Sequence, residues 1–184
     1  MYYLNILLAL FLAFNFGSFI WAAYKFFHYE SEQRVPKQTK YLAYLILPCQ
    51  ALLVGCILWV EISPLGFILG SLCCLGSYLL FRACLRTHGE ENLTGAYASN
   101  LPDHLVQEGP YKRIRHPFYT SYLLTYIGGF IAAPYWWTLP LVMIPYFVYH
   151  HASTFEEHKF SQSSLSEHYS LYRQKAGRFL PKWF

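Results

Sequence analysis

The chain has 184 residues, of which 55% are hydrophobic, 20% aromatic and 13% charged, against about 25% charged in an ordinary soluble domain. This composition excludes a soluble globular enzyme, a disordered chain, a collagen and a coiled coil, and it points to a bilayer as the solvent for much of the surface. The formal net charge of +4 calls for no nucleic-acid partner, because anchoring against anionic membrane lipids accounts for it.

Residues 1–24 contain no Lys, Arg, Asp or Glu, and at about 1.5 Å per residue such a run exceeds the roughly 30 Å hydrocarbon core. With no basic residue ahead of Lys25, it reads as a helix of the mature protein and not as a signal peptide. Two further charge-free runs follow, 41–60 and 62–81. The corner Glu61-Ile62-Ser63-Pro64 between them is so short that they must form an antiparallel hairpin. Within the later of these runs, Gly66 and Gly70 form a GxxxG pattern, suited to close helix packing inside the chain or across a homodimer.

The stretch 117–155 has 39 residues without a formal charge, about twice what one crossing needs. Pro134 divides it into predicted helices at about 118–133 and 135–158. The aromatic corner Tyr135-Trp136-Trp137 joins them at the water interface, and Pro140 and Pro145 kink the second. The expected fold is therefore all-α, an integral membrane bundle of five transmembrane helices with a cytoplasmic C-terminal helix and loop region. Residues 1–85 would hold the first three helices; 86–184 would hold the other two and the cytoplasmic tail.

All 14 Lys and Arg residues fall in the first connection, the long middle one or the tail. The positive-inside rule then places the N-terminus outside and the C-terminus in the cytoplasm. The five cysteines have no CxxC spacing, which predicts buried apolar side chains and neither a disulfide framework nor a zinc site. The histidines lack ligand spacing, so no metal is expected.

The polar residues collect at the inner surface. In the tail, Ser164-Leu165-Ser166-Glu167 reads as a capping box opening a helix over 165–176, which Gly177 ends as a left-handed residue. Tyr169 and Tyr172 share one face of it, as in an amphipathic helix on the membrane or in one wall of a site. Glu156-Glu157 closes the last spanning helix, where carboxylates need water or a cationic partner unless the helix has simply emerged. Residues 109–119 form a turn, a basic strip and a His before Pro117. The helix amides that start there can hold a carboxylate with help from Arg115 and His116, unless the strip is a plain positive-inside anchor.

Arg115-His116-Pro117-Phe118-Tyr119, followed by Glu156-Glu157, Phe160, Tyr169, Tyr172, Arg178 and Pro181, resembles the isoprenylcysteine carboxyl methyltransferase and phospholipid methyltransferase superfamily over roughly residues 100–181. The resemblance implies an integral membrane enzyme that moves a methyl group from S-adenosylmethionine to a lipid-like or small hydrophobic acceptor. It also implies a cofactor site made by Asp103, His104, Leu105, Val106, Tyr111, Arg115, His116, Pro117, Phe118, Tyr119 and Glu157. In that site His104, Arg115 and His116 serve the methionine carboxylate, and Glu157 takes the ammonium or the ribose hydroxyls. The chain has no Gly-rich βαβ unit, so a soluble Rossmann-type methyltransferase is excluded. No catalytic base is assigned, because a carboxylate or thiolate acceptor arrives ionised. Two departures matter: Ser121 stands where a glycine is common, and Ser153 stands where an arginine is expected to meet a prenylcysteine carboxylate. Carboxylate, amine, thiol and phospholipid headgroup acceptors therefore all stay open. The alternatives are an NADPH-dependent membrane reductase of the sterol type, which shares the RHPxY region, and a non-catalytic membrane scaffold.

Overall fold

The computed structural model describes residues 2–28, 37–88, 93–94 and 105–182. They form six α-helices: α1 (Tyr2–Phe26), α2 (Lys37–Trp59), α3 (Pro64–His88), α4 (Pro117–Ala132), α5 (Pro140–Ser161) and α6 (Ser166–Lys175). A 3-10 turn, Gly109–Lys112, precedes α4. The extended structure among the described residues is a two-residue parallel pairing of Phe27–His28 with Leu93–Thr94 and a single bridge between Ile114 and Gly177.

Proline sets several boundaries. Pro64, Pro117 and Pro140 each open a helix at its first turn, where the missing N–H costs nothing. Pro140 therefore starts α5 and does not kink it, and the predicted 135–158 helix becomes a turn over 136–139 followed by 140–161. Pro48 and Pro145 lie inside α2 and α5. The tail prediction also needs correction. α6 begins at Ser166 after Leu165, with no side-chain cap; the Ser163 Oγ accepts from the Leu165 amide at 3.1 Å in the turn ahead of it. Neither Ser164 nor Glu167 makes the expected capping box. Gly177 is not left-handed either: among the described residues only Gly109 has a positive φ.

One core joins α1 to α5. Leu8, Leu12, Phe16 and Phe19 of α1 meet Leu53 and Ile57 of α2, Phe81 of α3, Tyr126 of α4 and Tyr149 of α5. Cys49, Cys74 and Cys84 are buried in it, while Cys56 and Cys73 are half-buried. The glycine pattern of α3 is used within the chain. A methyl at Gly70 would lie 2.8 Å from the Gly128 carbonyl oxygen, and one at Gly66 would lie 3.1 Å from that of Ala132. Small residues thus let the α3 and α4 backbones touch.

Buried polar groups are used to tie helices together, since an unsatisfied one is costly in an apolar medium. Asn5 donates to the carbonyls of Ile57 and Val60 at 2.6 and 2.5 Å, capping the end of α2. Asn15 donates to the Cys74 carbonyl at 2.9 Å and to Thr125 Oγ1 at 3.3 Å. The Tyr135 hydroxyl reaches the Glu61 carbonyl at 3.3 Å, which puts the α2–α3 and α4–α5 corners at one end. Helices α1, α2 and α3, of 25, 23 and 25 residues, are long and apolar enough to cross a membrane.

Candidate active site

A cluster of charged side chains forms at the opposite end of the bundle, where four segments converge. The first is the strip before α4. Gly109 turns the chain with φ +52°, and its missing side chain leaves room for Thr87. The strip then runs extended beside the tail. The Arg115 amide donates to the Gly177 carbonyl at 2.8 Å, the His116 amide to that of Arg178 at 3.1 Å, and the Gly177 amide back to Arg113 at 3.0 Å. Thr120 Oγ1 adds a bond to the Phe179 carbonyl at 2.8 Å.

Glu157, from the last turns of α5 beyond the apolar run that closes at Phe155, is the hub. Its Oε1 accepts from Arg115 Nε and Nη2 at 3.1 and 2.8 Å, lies 3.2 Å from His116 Nε2, and accepts from Arg178 Nε at 3.2 Å. Its Oε2 accepts from Arg178 Nη2 at 2.9 Å. Arg115 Nη1 also donates to the Ala176 carbonyl. Four of the five contacts to Glu157 fall on Oε1 and the side chain is 7% exposed, so Glu157 is largely committed to the protein's own cations.

Glu156 is less occupied. Its Oε1 accepts from the Tyr119 hydroxyl at 2.5 Å, and its Oε2 lies 3.4 Å from His116 Nδ1, with 26% of the side chain exposed. His116 thus has a carboxylate at each ring nitrogen. Its ring stacks on Tyr119 at 5.7 Å, and Tyr119 stacks on Tyr149 at 5.2 Å.

These contacts set the ionisation. Burial alone pushes Glu157 up, but the hydrogen bonds from His116, Arg178 and Arg115, with the charge of Arg115, hold it well below the usual carboxylate range. Burial alone pushes His116 down, but its bonds to Glu156 and Glu157 outweigh that and raise it. The raised His116 stabilises the fold fully below its ordinary value of 6.5, a contribution lost as pH rises through the higher folded value. The lowered Glu157 stabilises it above 4.5, a contribution lost as pH falls below that. The thermal midpoint in detergent is therefore expected to peak between these two values. Its decline on the alkaline side should vanish in His116→Gln; an unchanged alkaline limb in that variant would refute the assignment.

The residues expected at a cofactor site do not all come together. Arg115, His116, Tyr119 and Glu157 come together as described. Pro117 opens α4 and is fully buried. Phe118 stacks on His88 at 6.0 Å, and Tyr111 meets the same His88 through its hydroxyl at 3.0 Å. Leu105 packs elsewhere, against the small cluster of Tyr169, Tyr172 and Ala176, which the Tyr172 hydroxyl ties to the Tyr111 carbonyl at 2.7 Å. Val106 is half-buried; Asp103 and His104 lie outside the described residues. The Arg115 and His116 amides, just ahead of the helix, are taken by tail carbonyls.

Arg178, His150 and Thr154 join the cluster without having been expected there. Arg178 Nη1 donates to Thr154 Oγ1 and to His150 Nε2, each at 2.9 Å. Helical periodicity does carry a signal for two of them, since 150, 154 and 157 fall on one face of α5.

Residues 65–168 match the family model for phospholipid methyltransferase. The match starts at α3, stops short of Tyr169, and includes the RHPxY strip and both glutamates. The chain belongs to this family of membrane methyltransferases. No curated protein matches it. Family membership implies methyltransferase activity, and together with the three apolar helices it supports a membrane location.

Proposed function

We propose that the chain is an S-adenosylmethionine-dependent methyltransferase that crosses the membrane five times and acts on a lipid-like or small hydrophobic acceptor. In this reading α1, α2 and α3 supply three crossings. α4 and the apolar part of α5, residues 140–155, supply two shorter ones closed by the Tyr135-Trp136-Trp137 corner. The start of α1 and both tight corners share one end, since Asn5 reaches Val60 and Tyr135 reaches Glu61. The ion cluster and the basic tail occupy the other, which the positive-inside rule assigns to the cytoplasm, leaving the N-terminus outside. Residues 1–85 are then a platform and 86–184 the catalytic region.

The observation that carries the reading is the 3.2 Å contact between His116 and Glu157, residues 41 apart in sequence that bring the RHPxY strip and the glutamate pair to one place. S-adenosylmethionine, when bound, supplies a sulfonium-activated methyl group. The chain's part is alignment and exclusion of water, worth up to about 7–11 kcal/mol for a well-placed pair. The residues present fit such a group. Glu156, 26% exposed and bonded by one tyrosine and one histidine, keeps acceptor capacity for an ammonium. The family resemblance would add Leu105, Val106, Tyr111, Pro117 and Phe118 to this site, with Asp103 and His104, which lie outside the described residues.

Calorimetric titration of the detergent-purified chain with S-adenosylmethionine and with NADPH tests this. The first alone should bind, and its binding should be lost in His116→Ala. Binding of NADPH alone would favour a reductase, and binding of neither would favour a scaffold.

A further inference from the structure

Arg178 faces two ways. One edge of its guanidinium forks onto Glu157 at 3.2 and 2.9 Å, while Nη1 turns outward to His150 and Thr154. An arginine only donates, so His150 Nε2 accepts and offers no charge to it; nor does the Thr154 hydroxyl. His150 and Thr154 lie on the exposed flank of α5 that also carries Tyr146 and Phe147. Phe179, next in the tail, packs against Tyr146 at 6.3 Å.

The charges do not cancel. Arg115 and Arg178 share the single carboxylate of Glu157, while Glu156 is matched by His116. With His116 protonated, one positive charge is left over. The Arg115 side chain is 7% exposed and that of Arg178 24%, so Arg178 is the pole that a ligand can reach.

The geometry points to a subsite for an anionic headgroup, a phosphate or carboxylate carried on an apolar chain, formed by Arg178, His150 and Thr154 on the bilayer-facing flank of α5. This rests on the methyltransferase reading, in which that flank is where a membrane-dissolved acceptor meets the site. The guanidinium exchanges two neutral partners for an anion, a stronger class of hydrogen bond, and the apolar chain lies along Tyr146 and Phe179.

The test is calorimetry on the full chain in neutral detergent, with dodecyl phosphate, inorganic phosphate and S-adenosylmethionine as separate titrants. Dodecyl phosphate should bind more tightly than inorganic phosphate, and Arg178→Gln should weaken it about tenfold or more, the loss of a charged hydrogen bond. Because Arg178→Gln also frees Glu157, Thr154→Glu is measured beside it. That change offers Nη1 a carboxylate while keeping every donor of the fork, and should weaken dodecyl phosphate as strongly. Unchanged dodecyl phosphate binding in Thr154→Glu overturns the proposal. So does an equal loss in Lys182→Gln, which would mean unspecific attraction, or equal affinity for inorganic phosphate, which would mean a free anion. Binding of S-adenosylmethionine without dodecyl phosphate sinks the subsite and leaves the methyltransferase reading standing; the reverse pattern sinks that reading and leaves an anionic-lipid site.

Discussion

Glu157→Gln is expected to cost about 3–5 kcal/mol of stability, the usual penalty for removing one partner of a buried ion pair. The side chain is 7% exposed, and it is the shared counter-charge for Arg115 and Arg178. Without it two guanidinium groups face each other and His116 loses one of its two carboxylates. The amide keeps the shape and some hydrogen bonds but supplies no charge. S-adenosylmethionine binding should fail with it, because the strip and the tail would no longer be clamped. Glu156→Gln is the contrast: that side chain is 26% exposed, and its loss should cost far less stability while still weakening the ligand. Equal drops in the thermal midpoint for the two variants would refute the division of labour between them.

Gly177→Ala should be nearly as damaging, for a steric reason. A methyl there would collide with the backbone carbonyl of Leu180, and a backbone atom cannot swing aside as a side chain can. The bend over 177–180 would have to open. That would pull the Gly177 and Arg178 carbonyls away from the Arg115 and His116 amides and draw the Arg178 fork off Glu157. Forced backbone shifts of this kind cost about 1–3 kcal/mol before the lost bonds are counted. Gly17→Ala is the control. Nothing lies within 4 Å of the added methyl at that position, so this helix-interior change should be neutral or stabilising by about 0.5–1 kcal/mol. Thermal melting and calorimetry of the two variants would separate them; similar behaviour would show that the tail bend is not what holds the site.

The sequence was most informative where one variable dominates. Runs without charge located α1, α2 and α3 within a few residues at most ends, because length and apolarity alone decide whether a helix suits a bilayer. The corner at Glu61 and the break at Pro134 were equally legible, each being a local backbone constraint. The tail was misread for the same reason that made it look clear. Ser164 and Glu167 have capping-box spacing, but α6 begins only at Ser166, after the turn leaving α5, and spacing carries no information about where the previous helix ends. Gly177 looked like a helix stop, yet its value lies in a close approach to Leu180, a contact that no local pattern encodes. The meeting of Arg178 with Glu157 is tertiary in the same sense. The two lie in motifs that could be quoted side by side, while nothing in their spacing said that one would grip the other.

The pairing of 114–116 with 177–178 also orders events in time. The ribosome makes all five long helices before it reaches Arg178, so the bundle can insert and pack while the clamp on Glu157 does not yet exist. Until residues 177 and 178 dock, the strip before α4 lacks acceptors for two of its amides and Glu157 lacks one of its two arginines. The bundle is thus made before its clamp, and the cluster around Glu157 closes only after residues 177 and 178 have emerged and docked.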